Sequence, residues 1–182
     1  MSRAVTPDHL RRVRPRSLRS TIYRIVAEAY RDRALSLEGS LLVGGRYNPP
    51  FEFGALYGGE SPEMCWAEME KKHEGPLKRG AFHIMPLVVR LRRVLDLTDP
   101  TTRDHLGLTQ EEITRPADYT VTRAIARAAR AAGFEAILAP SSAGPGAILA
   151  IFADRLGAGS SVTGGSTRAR RRPRRPPARR RP

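Results

Sequence analysis

The block Gly44-Gly45-Arg46-Tyr47-Asn48-Pro49-Pro50 constrains the fold more than any other stretch of this chain. Two glycines, an asparagine and two prolines in seven residues break any regular element and impose a tight turn. The turn carries an arginine and an aromatic at its centre. Ala55-Leu56-Tyr57 follows as a short strand closed by Gly58-Gly59, and Glu68 comes eleven positions after Tyr57. A guanidinium, an aromatic and a carboxylate around a glycine-rich turn are the groups needed to hold a phosphate-bearing nucleotide and to stabilise a cation forming beside it.

The rest of the body reads as short strands with a few helices. Ile22-Tyr23-Arg24-Ile25-Val26 favours a strand, since β-branched and aromatic residues suit a pleated surface. Ser61-Pro62-Glu63 opens a helix, with Ser as N-cap, Pro at the first position and an acid in the first turn, and Gly75-Pro76 ends it after about His73. Phe82 to Val94 is rich in strand formers, with Pro86 demoting part of it to an edge or a bend. Thr109 with Glu112 makes a capping box, and Tyr119 to Ala132 is an Ala-rich helix stopped by Gly133. Glu135 to Ala139 and Ala147 to Phe152 read as strands joined by a tight loop, Ser141 to Gly146. The fold class is α+β, with no regular βαβ alternation to force a parallel sheet.

Charge divides the chain. The net charge is +14, of which residues 1–20 hold +5 and residues 166–182 hold +9, so the middle is neutral. The expected organisation is a basic flexible arm at 1–19, a folded domain at 20–156, and a disordered tail at 157–182 that is Gly/Ser-rich and then Arg/Pro-rich. Basic ends bind polyanions through phosphate contacts whatever the fold does, which makes a nucleic-acid-binding protein the rival of a different class. The neutral body carries no recognised nucleic-acid motif and argues against that rival. One cysteine, Cys65, excludes an intrachain disulfide, and the four scattered histidines match no zinc spacing, so no metal is expected. No apolar run approaches a membrane span and the basic N-terminus lacks an apolar signal segment, so a cytoplasmic setting is expected.

Six residues can carry chemistry. Arg46 after two glycines can grip a phosphate through paired hydrogen bonds, or be a solvated turn arginine. Tyr57 can stack on a flat ring or donate its hydroxyl, or be a half-buried core tyrosine. Glu68 has apolar neighbours in Cys65, Trp66, Ala67 and Met69, which marks a largely buried stretch of helix, whereas Glu70 is the better candidate for a solvated acid. Ser141 and Ser142 sit in a loop with no nucleophile-elbow pattern around them, so a hydroxyl there binds rather than attacks. Arg24, among apolar residues, needs an anionic partner, either Glu68 or a ligand phosphate.

Taken in order, these pieces resemble the RES domain, named for an Arg, a Glu and a Ser and found in toxins of RES–Xre toxin–antitoxin systems. The matching stretches are Tyr23-Arg24, the Gly44 to Pro49 block, Leu56-Tyr57, Ser61-Pro62 with Ala67-Glu68, and Pro140-Ser141 followed by Gly146 and an apolar strand ending at Phe152. The resemblance implies a fold related to ADP-ribosyltransferase toxins, with short central strands and flanking helices. It implies an NAD⁺-consuming enzyme, a glycohydrolase or phosphorylase that cleaves the nicotinamide–ribose bond, or a protein ADP-ribosyltransferase. An inactive interaction module is the remaining alternative. By the same resemblance Arg24 and Arg46 hold the pyrophosphate or nicotinamide ribose, Tyr57 packs on the nicotinamide side, Glu68 sits by the reacting ribose and Ser141 binds substrate. It also implies an Xre-type antitoxin as partner. This sequence departs from the family at Tyr47, where Trp is usual, and at Pro50-Phe51-Glu52-Phe53, which replaces the usual Pro-Gly turn. Ser141-Ser142 leaves the serine open by one position, and Arg31 and Arg33 lie close to Arg24.

Overall fold

The computed structural model describes residues 4–74 and 79–164. Its sheet is organised on one long strand, β3 (Phe82–Asp96), which has neighbours along both edges. One edge pairs antiparallel with β1 (Arg16–Ala27) over nearly its whole length. The other edge takes β6 (Ser161–Gly164) antiparallel beside Leu87 to Arg90, and β4 (Ala136–Pro140) parallel beside Val94 to Asp96. β4 pairs with β5 (Ala147–Ile151), β5 with β2 (Leu56–Gly59), and β2 returns to β1 where Tyr23 faces Gly59. The sheet thereby closes into a small barrel, with β6 attached outside the ring on β3. Helices α1 (Pro7–Arg11), α2 (Glu38–Val43), α3 (Pro62–Lys72), α4 (Pro100–Leu106), α5 (Gln110–Thr114) and α6 (Thr120–Ala131) surround it.

A bulge in β3 decides which residues face which core. Arg16 pairs with Val94 but Leu18 with Leu91, so β3 carries one extra residue between them. An extra residue inverts the side-chain alternation. Leu87, Val89, Leu91 and Val94 therefore fill the barrel with Ile22, Leu56, Leu138 and Leu149. Leu95 and Leu97 turn to the opposite side and pack with Ile113, Ile125 and Phe134 beneath the helices. The bulge is held by Glu135, 2% exposed. Its carboxylate accepts from the Arg92 and Arg93 amides at 2.8 and 3.2 Å, from the Gly157 amide at 2.9 Å and from Ser160 Oγ at 2.9 Å. Burial works to raise its pKa, but these hydrogen bonds outweigh it and hold the carboxyl below the usual range.

The caps expected at Ser61 and Thr109 are present, the latter as a reciprocal capping box with Glu112. Of the edge or bend expected at Pro86, the structure shows the edge: β3 runs on through it, with a neighbour on the β1 side alone, where a missing N–H is tolerated. Two expectations are corrected. The arm expected at 1–19 is, from Pro7, a helix followed by the start of β1, and Leu10 is fully buried against the helical core. The tail expected from 157 begins with ordered backbone, since Ser161 to Gly164 form β6; residues 165–182 lie outside the described residues.

At pH 7, Glu135→Gln is expected to lower unfolding free energy by about 1–3 kcal/mol, because an amide can satisfy fewer of four converging donors. The folded-state pKa is depressed, so this stabilisation is present above the unfolded value of about 4.3 and is lost as pH falls through the folded value. Urea titrations of both proteins at pH 7 and at acid pH should converge on acidification.

Candidate active site

Asn48 ties the glycine-rich turn together. It is fully buried. Its Nδ2 donates to the Ser40 carbonyl at 2.7 Å and the Phe53 carbonyl at 3.0 Å, and its Oδ1 accepts from Tyr57 Oη at 2.9 Å. Tyr57 Oη in turn accepts from the Tyr47 amide at 2.9 Å. A Cβ on Gly45 would lie 2.6 Å from Tyr57 Oη and 2.8 Å from Asn48 Oδ1, so the second glycine is required by the close approach. Gly44 caps α2 at φ 74°, the left-handed region that glycine adopts freely. The Tyr57 hydroxyl is thus committed to the turn and is not a free donor for a ligand; its ring remains half-buried.

This turn points Arg46 under α5 and α6. Its Nη1 donates to the Ile113 and Arg115 carbonyls at 3.2 and 2.9 Å, and its guanidinium lies 4.8 Å from the centre of the Tyr119 ring. Arg123 on α6 stacks on the same ring at 5.3 Å and donates to the Gly45 carbonyl at 3.0 Å. Arg46 is 9% exposed and, among the described residues, has no carboxylate partner. Arg123 and Tyr119 escaped the sequence reading because α6 carries three arginines with nothing local to single one out.

α3 supplies the carboxylate. Ser61 Oγ caps it by accepting from the Met64 amide at 3.1 Å. Glu68, in the second turn, accepts on Oε1 from the Ser141 hydroxyl and from the Ser142 amide at 2.9 Å, with Ser142 Oγ 3.5 Å from Oε2. The Ala143 amide donates to Ser141 Oγ at 3.0 Å, fixing that hydroxyl, and Lys71 donates to the Ser142 carbonyl. The loop between β4 and β5 therefore clasps Glu68, and both adjacent serines take part, Ser141 as the buried one. The expectation of a largely buried helix around Glu68 is corrected: Met64 and Cys65 are buried, while Trp66, Ala67, Glu68, Met69 and Glu70 are half-buried, so the carboxylate reaches the surface. Cys65 is no nucleophile. Its thiol donates to the Tyr23 carbonyl at 2.8 Å, and burial first of all pushes its pKa up to about 11.

Tyr47 connects the two halves. It is fully buried, and its hydroxyl has no hydrogen-bond partner. Burial raises that hydroxyl's pKa, Arg46 opposes the rise and Glu68 adds to it, so both charges lie within electrostatic reach of it. Arg24 on β1 does not pair with Glu68, contrary to one of the two expectations for it. Its Nη2 donates to the Ser36 carbonyl at 3.0 Å, while its Nη1 is buried without a partner, and burial lowers its pKa. Of its rivals, Arg31 is exposed, and Arg33 is exposed and pairs with Glu38. Among the described residues, the two buried side-chain polar atoms without a partner are Arg24 Nη1 and Tyr47 Oη. A buried guanidinium nitrogen with nothing to donate to suits an anionic group brought by a ligand. No three His, Cys, Asp or Glu side chains come together among the described residues.

Residues 21–171 match the RES domain family. The chain is 32% identical over 141 residues to the NAD(+) phosphorylase MbcT of Mycobacterium tuberculosis, covering 74% of each protein, and equally to that of Mycobacterium bovis. It is 40% identical over 116 residues to the probable NAD(+) phosphorylase Rv3189 of Mycobacterium tuberculosis, covering 62% of this chain and 55% of that protein. The crystal structure of the M. tuberculosis MbcT–MbcA toxin–antitoxin complex contains a similar fold, with a TM-score of 0.66 and 28% identity over 81% of this chain and 85% of that one.

Two substitutions in the turn should behave oppositely. Asn48→Ala removes three buried hydrogen bonds and should lower stability by about 2–4 kcal/mol. Tyr47→Phe removes an unpartnered buried hydroxyl and should leave stability unchanged or raised. Urea unfolding of both variants checks this.

Proposed function

The chain belongs to the RES domain family, and from that membership we propose that it cleaves the nicotinamide–ribose bond of NAD⁺, with inorganic phosphate as acceptor. The observation that carries this reading is the fixed carboxylate of Glu68, held by two serines and half-buried, in a chain whose Arg46 is buried without a carboxylate partner among the described residues. The resemblance of the chain to proteins named NAD(+) phosphorylases supports phosphate over water or a protein side chain.

The chemistry follows from the substrate. Nicotinamide in NAD⁺ is a cationic leaving group, so the bond from its ring nitrogen to the ribose carbon breaks without a general acid. The bonding electrons go to nitrogen, nicotinamide departs neutral, and the ribose carbon takes on oxocarbenium character. A preorganised carboxylate beside that carbon stabilises the charge as it forms. Glu68 does this, and Ser141 and Ser142 keep it in place so that it need not reorganise during the reaction. A phosphate oxygen then bonds to the same carbon, giving ADP-ribose phosphorylated on the freed ribose position. Arg24, with a buried nitrogen still to be satisfied, and Arg46, a buried cation without a carboxylate, bind the pyrophosphate and supply the remote binding energy that orients the ribose. The Tyr57 ring, its hydroxyl turned away into the turn, packs on the nicotinamide side.

Loss of NAD⁺ harms the cell that makes such an enzyme, so a neutralising protein partner belongs to this reading. The similarity to the toxin chain of the MbcT–MbcA complex supports an antitoxin, which we place in the Xre-type helix-turn-helix class. We place the protein in the cytoplasm with its substrate pool; among the described residues no helix is long and apolar enough to cross a membrane. A relationship to the ADP-ribosyltransferase fold is part of the same proposal. Polyanion binding by the Arg-rich ends is also proposed, and residues 166–182 lie outside the described residues.

Glu68→Gln keeps the shape and both serine contacts but loses the charge. It should lower kcat for nicotinamide release by about 10²–10³-fold with KM for NAD⁺ nearly unchanged. Ser141→Ala should lower kcat less, because the Ser142 amide still holds the carboxylate. Equal rates for wild type and Glu68→Gln would remove Glu68 from the chemistry.

A further inference from the structure

The outer face of β1, β3 and β6 carries cations that form no ion pair among the described residues. Across this face Arg19, Arg90 and Ser161 form one rung, each directly opposite the next, and Thr21, Val88 and Thr163 form the neighbouring rung. Residues opposed in a ladder point to the same side, so two arginines stand beside each other, an arrangement that is repulsive by itself. Arg92 joins them around an open cavity of about 310 Å³ lined also by Ser17, beside the bulge that Glu135 holds. Its guanidinium lies over Gly159, where a Cβ would come within 3.0 Å of it. All three arginines are exposed, and among the described residues none forms an ion pair or a side-chain hydrogen bond. The chain segments outside the described residues contain no Asp or Glu, so no other side-chain carboxylate exists to pair with them.

We propose that this face binds the phosphodiester backbone of nucleic acid, without base specificity. Arginines interleaved with Ser17, Thr21, Ser161 and Thr163 are the side chains that contact phosphate and sugar oxygens. In the two rungs around these arginines Val88 is the one exposed large apolar side chain, and Tyr23, one rung further on, is half-buried, so the patch lacks the exposed apolar core on which a protein partner would close. β6 ends at Gly164 on this same face, and the chain continues from there into nine arginines with no acid within residues 166–182. Folded face and basic segment thus share one point of departure. This activity is independent of the NAD⁺ reading, since none of these residues belongs to the proposed active site.

The test is fluorescence anisotropy of a labelled duplex DNA of arbitrary sequence with the full chain, over a salt series. Each lost phosphate contact flattens the slope of log K against log salt by about 0.9. The Arg19→Ala/Arg90→Ala/Arg92→Ala variant should bind at least ten-fold more weakly with a slope shallower by about 2–3, while Arg90→Lys keeps the parent slope. NAD⁺ turnover and thermal melting of the triple variant should match the parent. The parent slope in the triple variant would overturn the proposal, leaving all contacts to the other arginines. Absence of DNA binding by the parent, or binding of an acidic peptide that DNA does not displace, would overturn it equally.

Discussion

The fold depends on one buried carboxylate. Glu135 gathers two amides of the β3 bulge, the amide of Gly157 and the hydroxyl of Ser160. Without the bulge, β3 would keep one alternation along its length, and Leu95 and Leu97 would exchange sides with their neighbours. The barrel would then lose its lining or the helices their floor. The same contacts draw the segment after β5 back toward β3, where β6 adds its short ladder. A closed ring, an outer helical layer and the loop between β4 and β5 all take their positions from this arrangement.

The candidate site is built from two local devices carried by that frame. One is the Asn48–Tyr57 knot, which closes the glycine-rich turn and sets the direction of Arg46 and Tyr47. The other is the clasp of Ser141 and Ser142 on Glu68, which joins α3 to the β4–β5 loop. The devices differ in the state of their polar groups. The Asn48 side chain has a partner at each end, which suits a structural role. Arg24 and Tyr47 each retain a buried polar atom without one, a cost of about 1–3 kcal/mol apiece that a packed core has no reason to carry unless something else completes the set.

Much of the site was legible in the sequence because its signals are local. Ser61-Pro62, Thr109 with Glu112 and Gly133 declare their helix ends through backbone requirements that only a few residue types meet. Glu68 and Ser141 were legible as site residues through the resemblance, with the serine open by one position, but their contact with each other was not; in the structure both Ser141 and Ser142 hold Glu68. What was hidden depends on distant partners. β6 is polar and short and is held by backbone pairing, so Ser161 to Gly164 look like linker. Leu10 is one apolar residue among arginines, and only the helical core shows what it is for. Arg24 was open between Glu68 and a ligand phosphate as partner, and its own neighbour, the Ser36 carbonyl, lies in a segment whose path no local pattern reveals. Tyr57 was open between a ligand contact and a half-buried core tyrosine, and the turn that takes its hydroxyl could not be seen from its immediate neighbours.

The central claim is that a carboxylate fixed in this frame cleaves NAD⁺ with phosphate as acceptor. The most direct measurement incubates the purified, antitoxin-free protein with NAD⁺ and ¹⁸O-labelled inorganic phosphate and resolves the products by mass. The account predicts nicotinamide and a phosphorylated ADP-ribose in equal amounts, the latter retaining all the phosphate label. Intact NAD⁺, or ADP-ribose free of added phosphate as the sole product, would contradict it.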